Sequence, residues 1–112
     1  MANPRVNKNP RHPAGDTVTP VGEITGGVDT HKDFHLAAAK DALGRDLGTE
    51  KFPATAQGYT ALQAWLEAFG PLAAVGVEGT GCYGAGLTTH LRRHDIPVLE
   101  VNRPNRQKRR RT

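Results

Sequence analysis

With 112 residues, 13 of them Gly and 8 Pro, the chain has room for one small domain of short elements joined by many turns, and no room for a second. No apolar run approaches 18 residues and no continuous apolar segment opens the chain, which excludes a spanning helix or signal peptide and points to a cytoplasmic protein. A single cysteine, Cys82, excludes an internal disulfide and a thiolate-rich metal site, while the net charge of +4 resolves into a basic end and a mildly acidic remainder.

Residues 1–22 are expected to form a flexible arm, because they hold four of the eight prolines and few large apolar side chains to offset chain entropy. The run ITGGVD over Ile24 to Asp29 then predicts a first strand, and FHLAAA over Phe34 to Ala39 a second, joined as a hairpin through the polar Thr30 to Asp33. After a turn at Asp41 to Gly44, Asp46 to Phe52 predicts a third antiparallel strand at an edge. In it Leu47, Thr49 and Lys51 alternate with Gly48, Glu50 and Phe52.

Thr55 is the expected N-cap of a helix whose apolar face carries Tyr59, Leu62, Leu66 and Phe69, with Trp65 widening it as core; Gly70-Pro71 ends it. Leu72 to Val77 is apolar throughout and predicts a strand buried on both faces, with Glu78 at its end. A second helix is expected from Cys82 to His94, with Tyr83, Leu87 and Leu91 facing inward and Arg92, Arg93 and His94 at the favourable C-terminal end of the dipole. Ile96 to Val101 is the fifth strand. Beyond it, residues 103–112 form a basic tail with Arg103, Arg106, Lys108, Arg109, Arg110 and Arg111 and no acid, which leaves nine bases and eleven acids in the rest of the chain. Such a tail is either a solvated terminus or a phosphate-contacting segment.

Two chemistries compete for the stretch VGVEGTGCYGAG, Val75 to Gly86. Gly79, Gly81 and Gly84 satisfy the G-x-G-x-x-G pattern of a dinucleotide loop, and Glu100, about 20 residues on, stands where a ribose-binding acid is expected. Against this, a three-stranded meander and a helix precede the strand that leads into the pattern, and only one strand follows it. The other possibility is carboxylate chemistry. If the helical crossover sets the first and fourth strands side by side and parallel, Asp29 and Glu78 lie roughly 5 Å apart, a spacing suited to Mg²⁺. Each acid also has a plain structural explanation, Asp29 beginning a turn and Glu78 capping a helix.

Taken together, GVDTHKDFH, the helix with GYTALQAWL, VGVEGTGCYGAGLTTHL and PVLEVNRPNRQKRR resemble the N-terminal part of DEDD-type insertion-sequence transposases. The resemblance implies an α/β, ribonuclease-H-like (RuvC-like) fold: a mixed five-stranded sheet with two helices over residues 23–102, truncated relative to the family's whole catalytic domain. It further implies that Asp29 and Glu78, the latter opening an E-x-T-G segment with Thr80 and Gly81, are catalytic acids and Mg²⁺ ligands in DNA transposition. The tail cations would contact nucleic acid. The family's third and fourth acids form a D-x-x-D pair after the basic segment, and a serine-bearing C-terminal portion follows. The chain reaches Thr112 without them, so it is expected to be inactive alone and to need the missing C-terminal transposase portion as a partner. DNA is the implied substrate, some members resemble RNA-guided enzymes, and a homo-oligomer is compatible with the family.

Alternatives are a non-catalytic nucleic-acid-binding remnant, a dinucleotide-binding module, and an actin-like ATPase fragment, which GVDTHKD disfavours by lacking a glycine soon after its acid. His31 and His35, four apart on extended chain, are expected to be solvated or turn residues and not a metal pair.

Overall fold

The computed structural model describes residues 19–101, so the basic tail and all but the last residues of the N-terminal arm lie outside the described residues. Seven elements follow one another: β1 (Ile24–Thr30), β2 (Phe34–Lys40), β3 (Asp46–Pro53), α1 (Ala56–Glu67), β4 (Leu72–Glu78), α2 (Ala85–Arg93) and β5 (Val98–Val101). They build one sheet of order β3-β2-β1-β4-β5. The two short links make β1, β2 and β3 an antiparallel meander. The two helical links return the chain in the same direction, so β4 lies parallel to β1 and β5 parallel to β4.

Both helices cover one face. Ile24 and Val28 of β1, Ala37 and Ala39 of β2 and Val75 and Val77 of β4 point into a single core with Leu62 and Leu66 of α1 and Leu87 and Leu91 of α2. Helix α1 approaches closely because Gly26 offers no side chain: a Cβ there would lie 2.7 Å from Leu66 Cδ1. Its start follows the sequence expectation, with the Thr55 hydroxyl accepting from the Gly58 amide at 3.0 Å. Trp65 packs on the core edge-on to Phe69 and against Phe52, as expected of a core aromatic.

Several expectations need correction. Strand β4 is central, yet among the described residues only one of its faces carries helices, and Leu72, Ala73 and Ala74 remain half-buried. In β3 a register shift leaves Leu47 unpaired between Asp46, opposite Lys40, and Gly48, opposite Ala39. This bulge breaks the alternation and lets Leu47 and Phe52, five residues apart, both be buried. Helix α2 begins at Ala85 after a run of turns, so Cys82 and Tyr83 are exposed and Tyr83 is no core residue. Its end is a Schellman closure: the Ile96 amide donates to Leu91 O at 3.0 Å and the Asp95 amide to Arg92 O at 3.1 Å, with Asp95 at φ 61° where glycine is usual.

His35 is the largest departure, since it is fully buried on the helix-covered face. Its Nδ1 donates to the Phe34 carbonyl at 2.9 Å and its ring stacks on Tyr59, 5.9 Å away and 8° from parallel. Burial holds its pKa below the ordinary value and keeps it neutral.

The β2–β3 turn is organised by a buried acid. Asp41 accepts from the amides of Val21, Leu43 and Arg45 at 3.0 to 3.1 Å and from Nε and Nη2 of Arg45 at 3.0 and 2.8 Å. Burial opposes its charge, but the Arg45 guanidinium and these three amides outweigh it and hold the pKa at about 2.

Two predictions follow from packing and charge. Gly58→Ala improves intrinsic helix propensity by up to ~1 kcal/mol. Its Cβ would nevertheless fall 1.8 Å from the Pro53 carbonyl oxygen, a backbone atom. A net destabilisation of about 1–3 kcal/mol is therefore expected in urea unfolding, and a variant as stable as the parent would refute the packing. For Asp41 the folded pKa lies below the unfolded one, so its contribution is complete above about pH 4 and is lost as pH falls toward 2. Urea midpoints should drop between about pH 5 and about pH 2.5, and Asp41→Asn, which lowers stability at pH 5, should make that drop smaller.

Candidate active site

Strands β1 and β4 pair in parallel with Gly26 opposite Val75, Gly27 opposite Gly76 and Val28 opposite Val77. Asp29 and Glu78 are the next residues on each strand, so the register sets them side by side on strands about 4.8 Å apart. Because alternate side chains share a face, both acids stand on the face away from the helices, as Gly27 and Gly76 do. Both are half-buried and both line one concavity of about 320 Å³. Leu36 of β2 and Val101 of β5 form its sides.

The floor of this trough is backbone. A Cβ on Gly27 would meet nothing within 4 Å, whereas one on Gly76 would press on Val101 Cγ2 at 2.9 Å. A flat or polymeric ligand could thus approach the sheet closely just beneath the acids.

The strand ends are stapled together. Thr30, directly after Asp29, donates its hydroxyl to the Glu78 carbonyl at 2.8 Å. The chain then turns sharply through Gly79 at φ 65°, whose carbonyl accepts from the amides of Cys82 and Gly84 at 3.0 and 2.9 Å. At Gly84 a Cβ would lie 2.8 Å from both the Glu78 and Gly79 carbonyl oxygens. Glycine is demanded at these two positions by the turn itself. Two of the three glycines of the pattern are therefore explained without a bound pyrophosphate, while nothing packs against Gly81.

Other candidates are distributed as follows. His31 keeps its expected place in the β1–β2 turn with its side chain 42% exposed, and it also borders Asp29, with Nε2 3.6 Å from Asp29 Oδ2 and its ring stacked on Phe34 at 4.5 Å. Sequence spacing could not have shown this, because His31 lies beyond the end of β1 and its direction is set by the turn. His35 points into the core on the other face, so the two histidines diverge, as expected. Glu100 is exposed, and its pairing with Val77 directs it to the face opposite Glu78. The Thr30 bond to the Glu78 carbonyl was missed by sequence reasoning, as was the approach of His31 to Asp29. Among the described residues, no group of three or more His, Cys, Asp or Glu is placed to hold a metal. No helix among them is long and apolar enough to cross a membrane. The six tail cations, Arg103 to Arg111, lie outside the described residues.

A mixed sheet of this order, with its helices on one face and acids near the C-terminal ends of β1 and β4, is an α/β architecture compatible with the ribonuclease-H-like fold of DEDD transposases. The family model for IS110-type DEDD transposases, described as a transposase, matches residues 26–112. The chain belongs to that family. No curated protein matches it.

Replacing Thr30 by the isosteric Val should remove the staple at a cost of about 1 kcal/mol. Faster amide exchange confined to residues 78–84 is expected in NMR, whereas unaltered exchange there would mean that the hydroxyl does not hold the turn.

Proposed function

We propose that the chain contributes Asp29 and Glu78 to a Mg²⁺-dependent DEDD site acting on DNA in transposition, and that its basic tail holds nucleic-acid phosphates. One observation carries this proposal: the β1–β4 register brings together, in an open trough, the two acids that the family resemblance singles out. Their hard oxygen donors fit Mg²⁺, which is usually bound by few protein carboxylates together with water and phosphate oxygens. When bound, Mg²⁺ polarises a phosphoryl oxygen and neutralises charge developing on it. The chain's own part is to hold Asp29 and Glu78 at one strand edge, to fix the Glu78 turn through Thr30, and to leave a glycine floor for the substrate backbone. Two carboxylates are fewer than two-metal phosphoryl transfer employs, so the remaining ligands come from a further polypeptide segment. The chain alone is then a weak Mg²⁺ binder without turnover.

A non-catalytic nucleic-acid-binding role is the second reading, favoured by the lack of a third metal-binding side chain among the described residues. A dinucleotide-binding role is disfavoured by Glu100 facing away from the trough and by the packing roles of Gly79 and Gly84.

The purified chain separates these readings. Mg²⁺ titrations followed by NMR should show millimolar binding that Asp29→Asn or Glu78→Gln weakens, with no cleavage of DNA. Absence of any Mg²⁺ response would remove the metal role and leave the binding role. DNA affinity should fall with salt with a log-log slope no steeper than about −5, from up to six phosphate contacts. Deleting Arg103 to Thr112 should abolish it; unchanged affinity would place the basic surface elsewhere. A marked preference for RNA over DNA in the same assay would favour guide binding.

A further inference from the structure

A second set of ligating side chains lies away from the acid trough, on the helical layer that covers the opposite face of the sheet. His90 is on the last turns of α2 and His94 is its C-cap, four residues on, so the two stand one above the other on the same side of the helix. Their ring centroids are 4.4 Å apart with 34° between the planes.

The hydrogen bonds decide which ring nitrogens are available. His94 Nδ1 lies 2.8 Å from the His90 carbonyl oxygen. A carbonyl only accepts, so Nδ1 carries the proton and Nε2 keeps its lone pair. His90 Nε2 lies 2.8 Å from Oε1 of Gln63 on α1. The Gln63 amide is itself oriented, because its Nε2 donates to Glu67 Oε2 at 3.2 Å. His90 therefore donates from Nε2 and keeps the lone pair on Nδ1. Each imidazole thus has one nitrogen tied to an oxygen and the other free to donate electrons, the pattern that metal-bound histidines adopt with their outer partners.

We propose that His90 and His94 form a binding site for a borderline divalent transition-metal ion of the Zn²⁺, Ni²⁺ or Cu²⁺ class, with Gln63 and Glu67 as the outer partners that orient it. Two imidazoles sharing an ion at about 2.1 Å with a tetrahedral angle have centroids roughly 5 Å apart, within about 1 Å of the separation here, and the rings would also turn to bring both free nitrogens onto the ion. The C-terminal end of α2 carries the negative end of the helix dipole, which favours a cation. Arg92 and Arg93 on the same helix oppose the ion, which limits affinity to the micromolar range. The pair supplies two nitrogen ligands and leaves the other positions to water. Nitrogen donors select a different ion from the carboxylate pair, so the two sites are chemically independent.

The test is calorimetry of the full chain with Zn²⁺ and with Ni²⁺, in buffer containing excess Mg²⁺. One ion per chain at micromolar affinity is expected, with Mg²⁺ not competing. His94→Ala, at an exposed position, should weaken binding at least tenfold while circular dichroism stays unchanged. Gln63→Ala, which leaves both rings but frees His90, should weaken it severalfold, and His31→Ala and Cys82→Ser should not alter it. Cu²⁺ bound to the chain should show two-nitrogen hyperfine coupling in electron paramagnetic resonance, reduced to one in His94→Ala. No binding, binding that survives His94→Ala, or binding lost in Cys82→Ser would overturn the proposal.

Discussion

The parallel pairing of β1 with β4 is the constraint on which the rest of the structure depends. It joins residues almost 50 positions apart, Val28 and Val77, and it requires α1 to cross over the sheet between them. The crossover fixes the side on which α1 lies, and Leu66 then seats on Gly26, so the same pairing that builds the core also sets the register at the strand ends. A slip by one residue would turn Val75 and Val77 out of the core and Glu78 into it. Burying an unpaired carboxylate among Leu62, Leu66 and Leu87 would be far costlier than leaving it at the trough. Hydrophobic register and acid placement are therefore one decision.

Glycine serves this arrangement in physically different ways, which is why a glycine-rich stretch was ambiguous in sequence. Gly26 admits a helix, Gly27 leaves bare backbone, Gly76 makes room for Val101, Gly79 takes a left-handed turn and Gly84 slips between two carbonyl oxygens. None of these uses is visible from spacing. G-x-G-x-x-G encodes backbone freedom, and only the neighbouring strands show whether that freedom receives a pyrophosphate or closes a turn.

The order of elements was legible because periodicities are local. The three-four spacing of Leu62, Leu66 and Phe69, the Thr55 cap and the unbroken apolar run before Glu78 each act within a few residues, and α1 and β4 form where they predict. The acid pair was legible at one remove, since it needed a parallel crossover and a family resemblance to make the strands neighbours. What was not legible depends on partners distant in the chain. His35 reads as a turn residue until Tyr59 of α1 stacks on it, and Asp41 reads as a turn acid until Val21 and Arg45 converge on it. Leu47 alternates correctly in sequence and is buried only because a bulge rotates it inward. Tyr83 has helical spacing to Leu87, but the chain spends residues 79–84 turning around the Glu78 carbonyl, so the helix starts too late to include it.

Side-by-side carboxylates also carry a cost that bears on function. Two unit charges at the roughly 5 Å strand spacing would repel by about 1 kcal/mol in water and by about 3 kcal/mol at the effective dielectric of a protein surface, less what neighbours such as His31, 3.6 Å from Asp29, offset. The strand pairing, the core beneath it and the Thr30 staple hold Asp29 and Glu78 together regardless, since the backbone has no freedom to separate them once Val28 and Val77 are paired. On the proposed function, a divalent cation binding the folded chain and not the unfolded one would occupy this pair and add stability to the fold. The openness of the trough has the same logic. Half-exposed acids on a glycine floor are tolerable in water without a metal, and they leave room for phosphate oxygens and for the further ligands that a two-metal site needs.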